Sequence, residues 1–133
     1  MTTDLIGKKF GDYTLTEILG QGGMATVYRG YQESIDRSVA VKVLPAENLN
    51  DPHFSKRFLL EARTLSKLTH PAIVSLYAFG EQDGLPYIIM PLMSGGSLAD
   101  HLKKGALSLQ ETERIFTRVA EALDFAHQQN ILH

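Results

Sequence analysis

The apolar and polar positions of the first half of the chain alternate in short runs, the period of a β-strand whose two faces differ. Three strands are predicted up to Leu44: one over 13–19 that enters a glycine cluster at 20–23, one over 25–30 that leaves it, and one over 38–44. Two strands joined by a glycine-rich turn form a hairpin. The chain is therefore expected to begin with a sheet.

One helix interrupts the predicted strands. Asn50-Asp51-Pro52 indicates a helix start, with an Asx cap followed by proline at the first helical position. Apolar residues then recur at helical spacing to about Leu68, where His70-Pro71 ends the run. Two more strands, over 72–79 and 85–90, are predicted on either side of a turn at 81–84. The pattern thus predicts five strands.

The second half of the chain carries helical patterns. Ser97 and Asp100 have the spacing of a capping box, and so do Ser108 and Glu111 at the start of a longer helix that runs to about Gln129. One face of this longer helix is apolar. Its residues are Ile115, Phe116, Val119, Ala120 and Leu123.

The order of these elements predicts an α+β fold. We divide the chain into a lead-in over 1–12, a lobe with the five-stranded sheet and one helix over 13–93, and the first helices of a helical lobe over 94–133.

Because the chain stops where the strand-like segment at 130–133 begins, we expect a truncation there. The apolar helix face would then be partly exposed, and we expect self-association through it.

Composition narrows the class of protein. Hydrophobic residues make up 44% of the 133 residues and the formal charge is −2, so the chain is an ordinary globular one and nucleic acid is not expected as its partner. Cysteine is absent and the five histidines are scattered, so no metal site is expected and a cytoplasmic location is compatible. No secretory signal and no apolar stretch of membrane-spanning length is visible.

The glycine cluster is the first candidate for chemistry. Glycines allow backbone N–H groups to approach phosphate oxygens, although an isolated cluster is more often an ordinary turn. A dinucleotide fingerprint would need a helix directly after the glycines, and a Walker loop would need Gly-Lys-Ser/Thr. Thr26-Val27-Tyr28 continues as a strand instead. A hairpin that folds over phosphates remains.

Two charged residues complete the pattern. Lys42 shares a strand face with Ala40, which suits a cation aimed at nucleotide phosphates, although a strand-end lysine can also reach solvent. Glu61 lies in an apolar stretch of the predicted helix, where a carboxylate is costly unless it is paired. Lys42 is its natural partner, so we predict an ion pair between the two.

The glycine-rich hairpin, the strand Val39-Ala40-Val41-Lys42 and the helix glutamate resemble the motifs of eukaryotic-like protein kinases, which are a standard example of motif recognition. The segments at 22–28, 35–42, 68–74 and 122–127 resemble the bacterial serine/threonine branch. The resemblance covers roughly 10–133 and implies a protein-kinase-like fold, in which a lobe with a five-stranded antiparallel sheet and one helix is followed by the first helices of a helical lobe. It implies an enzyme that transfers the γ-phosphoryl group of ATP to serine or threonine of protein substrates, with ATP and Mg²⁺ as cofactors.

The resemblance also implies roles for individual residues. Lys42 and Glu61 would be the catalytic ion pair, with Lys42 holding the α- and β-phosphates. Contacts to ATP are implied for the hairpin, the roof over adenine, the gatekeeper, the hinge and a ribose contact. These residues are Leu19, Gly20, Gln21, Gly22, Gly23, Val27, Ala40, Lys42, Met90, Pro91, Met93 and Ser97.

The sequence departs from the family pattern in three places. Ala25 stands at the third glycine of the loop, and Pro91, which has no N–H, stands where many kinases carry an acidic residue. His133 corresponds to the histidine of the His-Arg-Asp motif, so the catalytic aspartate and the metal ligands would lie beyond it. We therefore expect the chain alone to be inactive. The alternative is a pseudokinase-like module that binds nucleotide or acts as a scaffold, and a third reading is a small domain without a ligand.

Overall fold

The computed structural model describes residues 4–133, and the first three residues of the predicted lead-in lie outside them. Six antiparallel strands form one sheet in the order β1-β2-β3-β4-β6-β5. The α+β prediction is confirmed. The strands are β1 Lys9–Phe10, β2 Tyr13–Gln21, β3 Thr26–Gln32, β4 Arg37–Val43, β5 Ala78–Gln82 and β6 Leu85–Pro91.

Alternation along the strands places an apolar core on each face of the sheet. Val39, Val41 and Val43 of β4 point to one face, as the sequence predicts, and they join one cluster. The remaining buried members of this cluster are Leu5, Phe10, Tyr13, Leu15, Tyr28, Tyr87 and Ile89. The opposite face packs against a helix through Ala25, Leu44, Phe58, Ala62 and Ile88.

The helices are α1 Ala46–Leu49, α2 Pro52–Lys67, α3 Leu98–Lys103 and α4 Leu109–Gln128, and a short 3₁₀ turn lies at Glu33–Ile35. The predicted caps are confirmed. The Asp51 side chain accepts a hydrogen bond from the His53 N–H at the start of α2. Both capping boxes are formed, by Ser97 at α3 and by Ser108 at α4.

The structure corrects three details of the sequence prediction. The sheet has six strands because Lys9–Phe10 pairs with β2 as an additional edge strand. The strand predicted from position 72 begins only at Ala78. The turn that follows it is two residues long, since Gln82 pairs with Leu85, and Asp83 and Gly84 both have positive φ, as a type I′ turn requires.

The apolar face of α4 is largely exposed. Phe116 is 71% exposed and Val119 is 51% exposed. Near its other end the helix contacts the segment that follows α2, because the Phe125 ring lies 5.1 Å from the ring of His70. Within residues 4–133, no helix is both long and apolar enough to cross a membrane.

Candidate nucleotide-binding site

The glycine-rich hairpin is the turn between β2 and β3. Gly20 pairs with Val27 and Gln21 pairs with Thr26, and the Gly22 N–H donates to the Ala25 carbonyl at 2.9 Å. Gly20, Gly22 and Gly23 all lack a positive φ. A Cβ placed on Gly20 or Gly23 would meet nothing within 4 Å. These glycines therefore leave the loop surface bare for a ligand, and they do not supply a left-handed conformation.

Lys42 and Glu61 are brought together across the sheet and α2. The Lys42 Nζ lies 2.9 Å from Glu61 Oε1 and 2.8 Å from Oε2, so the ammonium group contacts both carboxylate oxygens. The side chains are only 20% and 33% exposed. Because one partner lies on β4 and the other on α2, the ion pair fixes the distance between helix and sheet.

The strand register gathers the predicted adenine contacts beside Lys42. Val27 of β3 lies directly opposite Lys42, and Ala40 lies directly opposite Met90 of β6. Ala40 is buried, while Val27 and Met90 are half-buried. Small and apolar side chains thus line the same sheet face as the cation, which suits a flat base next to its phosphates.

The segment after β6 offers backbone polar groups. Pro91 ends the strand and has no N–H, whereas the Met93 side chain is 61% exposed. Among the described residues, the Met93 N–H has no hydrogen-bond partner. It is available to a ligand edge at this position.

Three other predicted site residues are either exposed or already engaged in other hydrogen bonds. Leu19 and Gln21 are exposed on the hairpin. The Ser97 hydroxyl is engaged in the α3 cap: it donates to Asp100 Oδ2 at 2.9 Å and accepts from the Asp100 N–H. The hydrogen bonds from the Ser97 backbone and hydroxyl hold the pKa of Asp100 below its ordinary value. A ribose contact from Ser97 would compete with this cap.

Sequence reasoning missed one residue near the loop. The Asn48 side chain of α1 donates a hydrogen bond from Nδ2 to the Met24 carbonyl at 2.9 Å. An amide that bonds a backbone carbonyl 24 positions away leaves no pattern in the sequence. Its position shortly after β4 is the only hint that the sequence contains.

An open groove lies between α2 and α4, and both Glu61 and Met24 of the hairpin line it. Leu65, Leu123, Ala126 and His133 are among its lining residues. Among residues 4–133, no group of three or more histidine, aspartate or glutamate side chains is arranged to hold a metal ion. These residues therefore offer no ready-made side-chain site for the Mg²⁺ that accompanies a nucleotide.

The protein kinase domain model matches residues 13–133. This match covers most of the chain, and it includes the glycine-rich hairpin and both members of the Lys42–Glu61 ion pair. The chain belongs to the protein kinase family, whose members are enzymes.

Its relatives include serine/threonine kinases of bacteria. The chain is 40% identical over 131 residues to the serine/threonine-protein kinase PrkC of Bacillus subtilis, covering 97% of this chain and 20% of that protein. It is 38% identical over 127 residues to PknJ of Mycobacterium tuberculosis, covering 96% of this chain and 22% of the relative. The chain thus spans about a fifth of the length of these curated relatives.

The fold matches solved kinase domains as well. A crystal structure of the Mycobacterium tuberculosis PknI kinase domain aligns with a TM-score of 0.78 at 34% identity. The alignment covers 96% of this chain and 52% of that one. This likeness supports the kinase-type arrangement of sheet and helices.

Proposed function

We propose that the protein carrying this chain transfers the γ-phosphoryl group of ATP to serine or threonine side chains of proteins, and that residues 4–133 supply its ATP-binding part. The observation that carries the proposal is the Lys42–Glu61 ion pair, 2.8 Å long, on the sheet face beside the glycine-rich hairpin. The intact pair disfavours the pseudokinase-like alternative.

Each group has a definite task in this proposal. Lys42, oriented by Glu61, binds the α- and β-phosphates, while the backbone of Gly20–Gly23 covers the phosphates. Val27, Ala40 and Met90 enclose the base. The N–H of Met93 and the carbonyl of Pro91 bond its edge, and Leu19, Gln21 and Ser97 complete the contacts.

Phosphoryl transfer depends on positioning and on neutralising charge with Mg²⁺. The sequence contains neither an Asp-Phe-Gly triplet nor a complete His-Arg-Asp triplet, and residues 4–133 offer no metal-binding group of side chains. We therefore propose that the 133-residue chain alone binds nucleotide without turnover, and that the protein at its natural length is active with Mg²⁺.

The proposal is tested by ATP-dependent phosphorylation of a protein substrate and by nucleotide binding. In the protein at its natural length, Lys42→Met is expected to lower the rate by about 100-fold or more, because it removes the cation that faces the phosphates. Lys56→Met is the matched control: this lysine is exposed on α2, and its loss makes the same change in charge.

Three outcomes would contradict parts of this proposal. Equal rates for the parent protein and Lys42→Met would remove the assigned role of the ion pair. Nucleotide binding without phosphotransfer by the natural-length protein would favour the pseudokinase-like alternative. Turnover by the 133-residue chain, abolished by Lys42→Met, would show that the chain is active by itself.

The same proposal extends to organisation and surroundings. We assign residues 13–93 to the nucleotide-binding lobe and residues 94–133 to the start of the helical lobe. A cytoplasmic location, where ATP is available, belongs to the proposal. So does self-association of the 133-residue chain through the exposed face of α4, supported by the 71% exposure of Phe116.

A further inference from the structure

The tip of the glycine-rich hairpin is attached to the segment that precedes α2. The Asn48 Nδ2 donates to the Met24 carbonyl at 2.9 Å, in a partly buried position. Met24 is also partly buried. Together with Leu49 and Phe54, it packs against the apolar cluster between the sheet and α2. The tip is therefore held by one polar and several apolar contacts.

The anchor is connected to the helix that carries Glu61. Asn48 lies on α1, and the Ser55 hydroxyl of α2 donates to the Leu49 carbonyl at 3.1 Å. Three residues after Ser55, Phe58 is buried in the same cluster that Met24 joins. The loop tip, α1 and the first turns of α2 thus form one connected unit.

The hydrogen bond also fixes the orientation of a peptide group. In a trans peptide the carbonyl and the following N–H point in opposite directions. Because the Met24 carbonyl points to Asn48, the Ala25 N–H points away from α1. Ala25 is only 5% exposed and, among the described residues, its N–H has no hydrogen-bond partner, so an anion that reached the tip would satisfy a buried donor.

We propose that Asn48 is a positioning residue for nucleotide phosphates: by holding the Met24–Ala25 peptide, it keeps the hairpin tip in the conformation that binds the phosphate chain. This inference rests on the proposed function, because it assumes that the hairpin covers a nucleotide. It adds a residue outside the motifs, placed on α1 and acting through the loop backbone.

The test compares a nucleotide with phosphates to one without them. Dissociation constants for Mg²⁺–AMP-PNP and for adenosine are measured by calorimetry on the protein at its natural length. Asn48→Leu keeps a similar shape and removes the donor. Loss of one hydrogen bond is expected to weaken AMP-PNP binding about five-fold. Adenosine binding is expected to stay unchanged, since adenosine does not contact the tip.

Two further variants separate positioning from general destabilisation. Asn50→Leu makes the same chemical change at an exposed neighbour and is expected to bind both ligands like the parent protein. Asn48→Gln retains an amide donor and is expected to restore part of the AMP-PNP affinity. Asn48→Ala, which favours helix α1, replaces the leucine variant in the comparison if that variant does not fold.

The outcomes distinguish this inference from the function on which it rests. A selective loss of AMP-PNP affinity supports it. Equal losses for both ligands, or no loss for either, would overturn it while leaving the ATP-binding proposal intact. Failure of the parent protein to bind AMP-PNP would overturn the proposed function, and this inference with it.

Discussion

The sheet region and the helical region of this chain are specified in different ways. Both faces of the sheet formed by β1–β6 are covered by apolar clusters, one of them shared with α2. Phe10, Leu15 and Phe58 are almost fully buried. The helices after position 96 bury little: Ala126 is the buried residue of α4, and α3 buries none. Local capping boxes define their beginnings instead.

This difference bears on where the candidate site can be rigid. Every side chain assigned to the nucleotide except Ser97 lies on the packed sheet, on α2 or on the segment directly after β6. Burial and strand pairing hold Val27, Ala40 and Lys42 from several sides, whereas Leu19, Gln21 and Met93 are exposed. Ser97 belongs to the helical region and is held by its own capping box, so it depends least on the nucleotide-binding lobe.

The largest expected effect on stability comes from replacing a phenylalanine by alanine in the sheet region, and the same replacement in the helical region is the comparison. Phe58→Ala in the 133-residue chain is expected to lower the free energy of unfolding by about 4 kcal/mol, because it leaves a cavity between α2 and the sheet. Phe116→Ala is expected to change it by less than about 0.5 kcal/mol, because the ring is 71% exposed. Urea denaturation followed by circular dichroism measures both values. Similar losses at the two positions would contradict the contrast.

Association provides the second comparison. If the apolar face of α4 drives self-association of the 133-residue chain, Phe116→Ser should shift the mass measured by light scattering towards the monomer. Ile35→Ser is the matched control, since Ile35 is also an exposed apolar residue, 59% exposed, but belongs to the sheet region. A monomeric parent chain at high concentration would remove the proposed association.

The smallest effect concerns pH and the α4 cap. Hydrogen bonds from the Ser108 backbone and hydroxyl lower the pKa of Glu111 from its ordinary value of 4.5. A carboxylate with a lowered pKa stabilises the folded state above its ordinary pKa, and this contribution is lost as the pH falls through the lowered value. The helical circular dichroism signal should therefore decrease below about pH 4.5.

Ser108→Ala provides the control for that pH dependence. The variant lacks the cap, so its helix should be less stable at neutral pH and its signal should change less on acidification. If the helical signal of the parent chain and that of the variant change equally on acidification, the cap does not contribute to the pH dependence.

Several features can be predicted because their signals are local. Asp51 and Pro52 indicate the start of α2 within two positions, and the alternation of Val39, Val41 and Val43 assigns the faces of β4. The pairing of Lys42 with Glu61 is predictable for a different reason. A carboxylate among apolar residues needs a partner, and a nearby strand offers one lysine.

Other features depend on contacts that the sequence does not display. The two residues of β1 are too few to show a period. The apolar run after Pro71 has the composition of a strand, but it starts with a turn in which the Ile73 N–H donates to the His70 carbonyl and the His70 ring accepts from the Ala72 N–H. The Asn48 anchor joins a side chain to a distant backbone carbonyl, which no residue pattern records.

The pairing of β4 with β6 has a consequence for how the protein folds. The β2–β3 hairpin closes a short loop, whereas Val39 meets Pro91 only after the whole of α2 and β5 has been enclosed between them. Closing a long loop costs more conformational entropy and slows the step that requires it. The hairpin can therefore form early, while Ala40 and Met90 come together in a late step. Nucleotide binding during refolding would report completion of the sheet, and would lag behind the first appearance of strand structure.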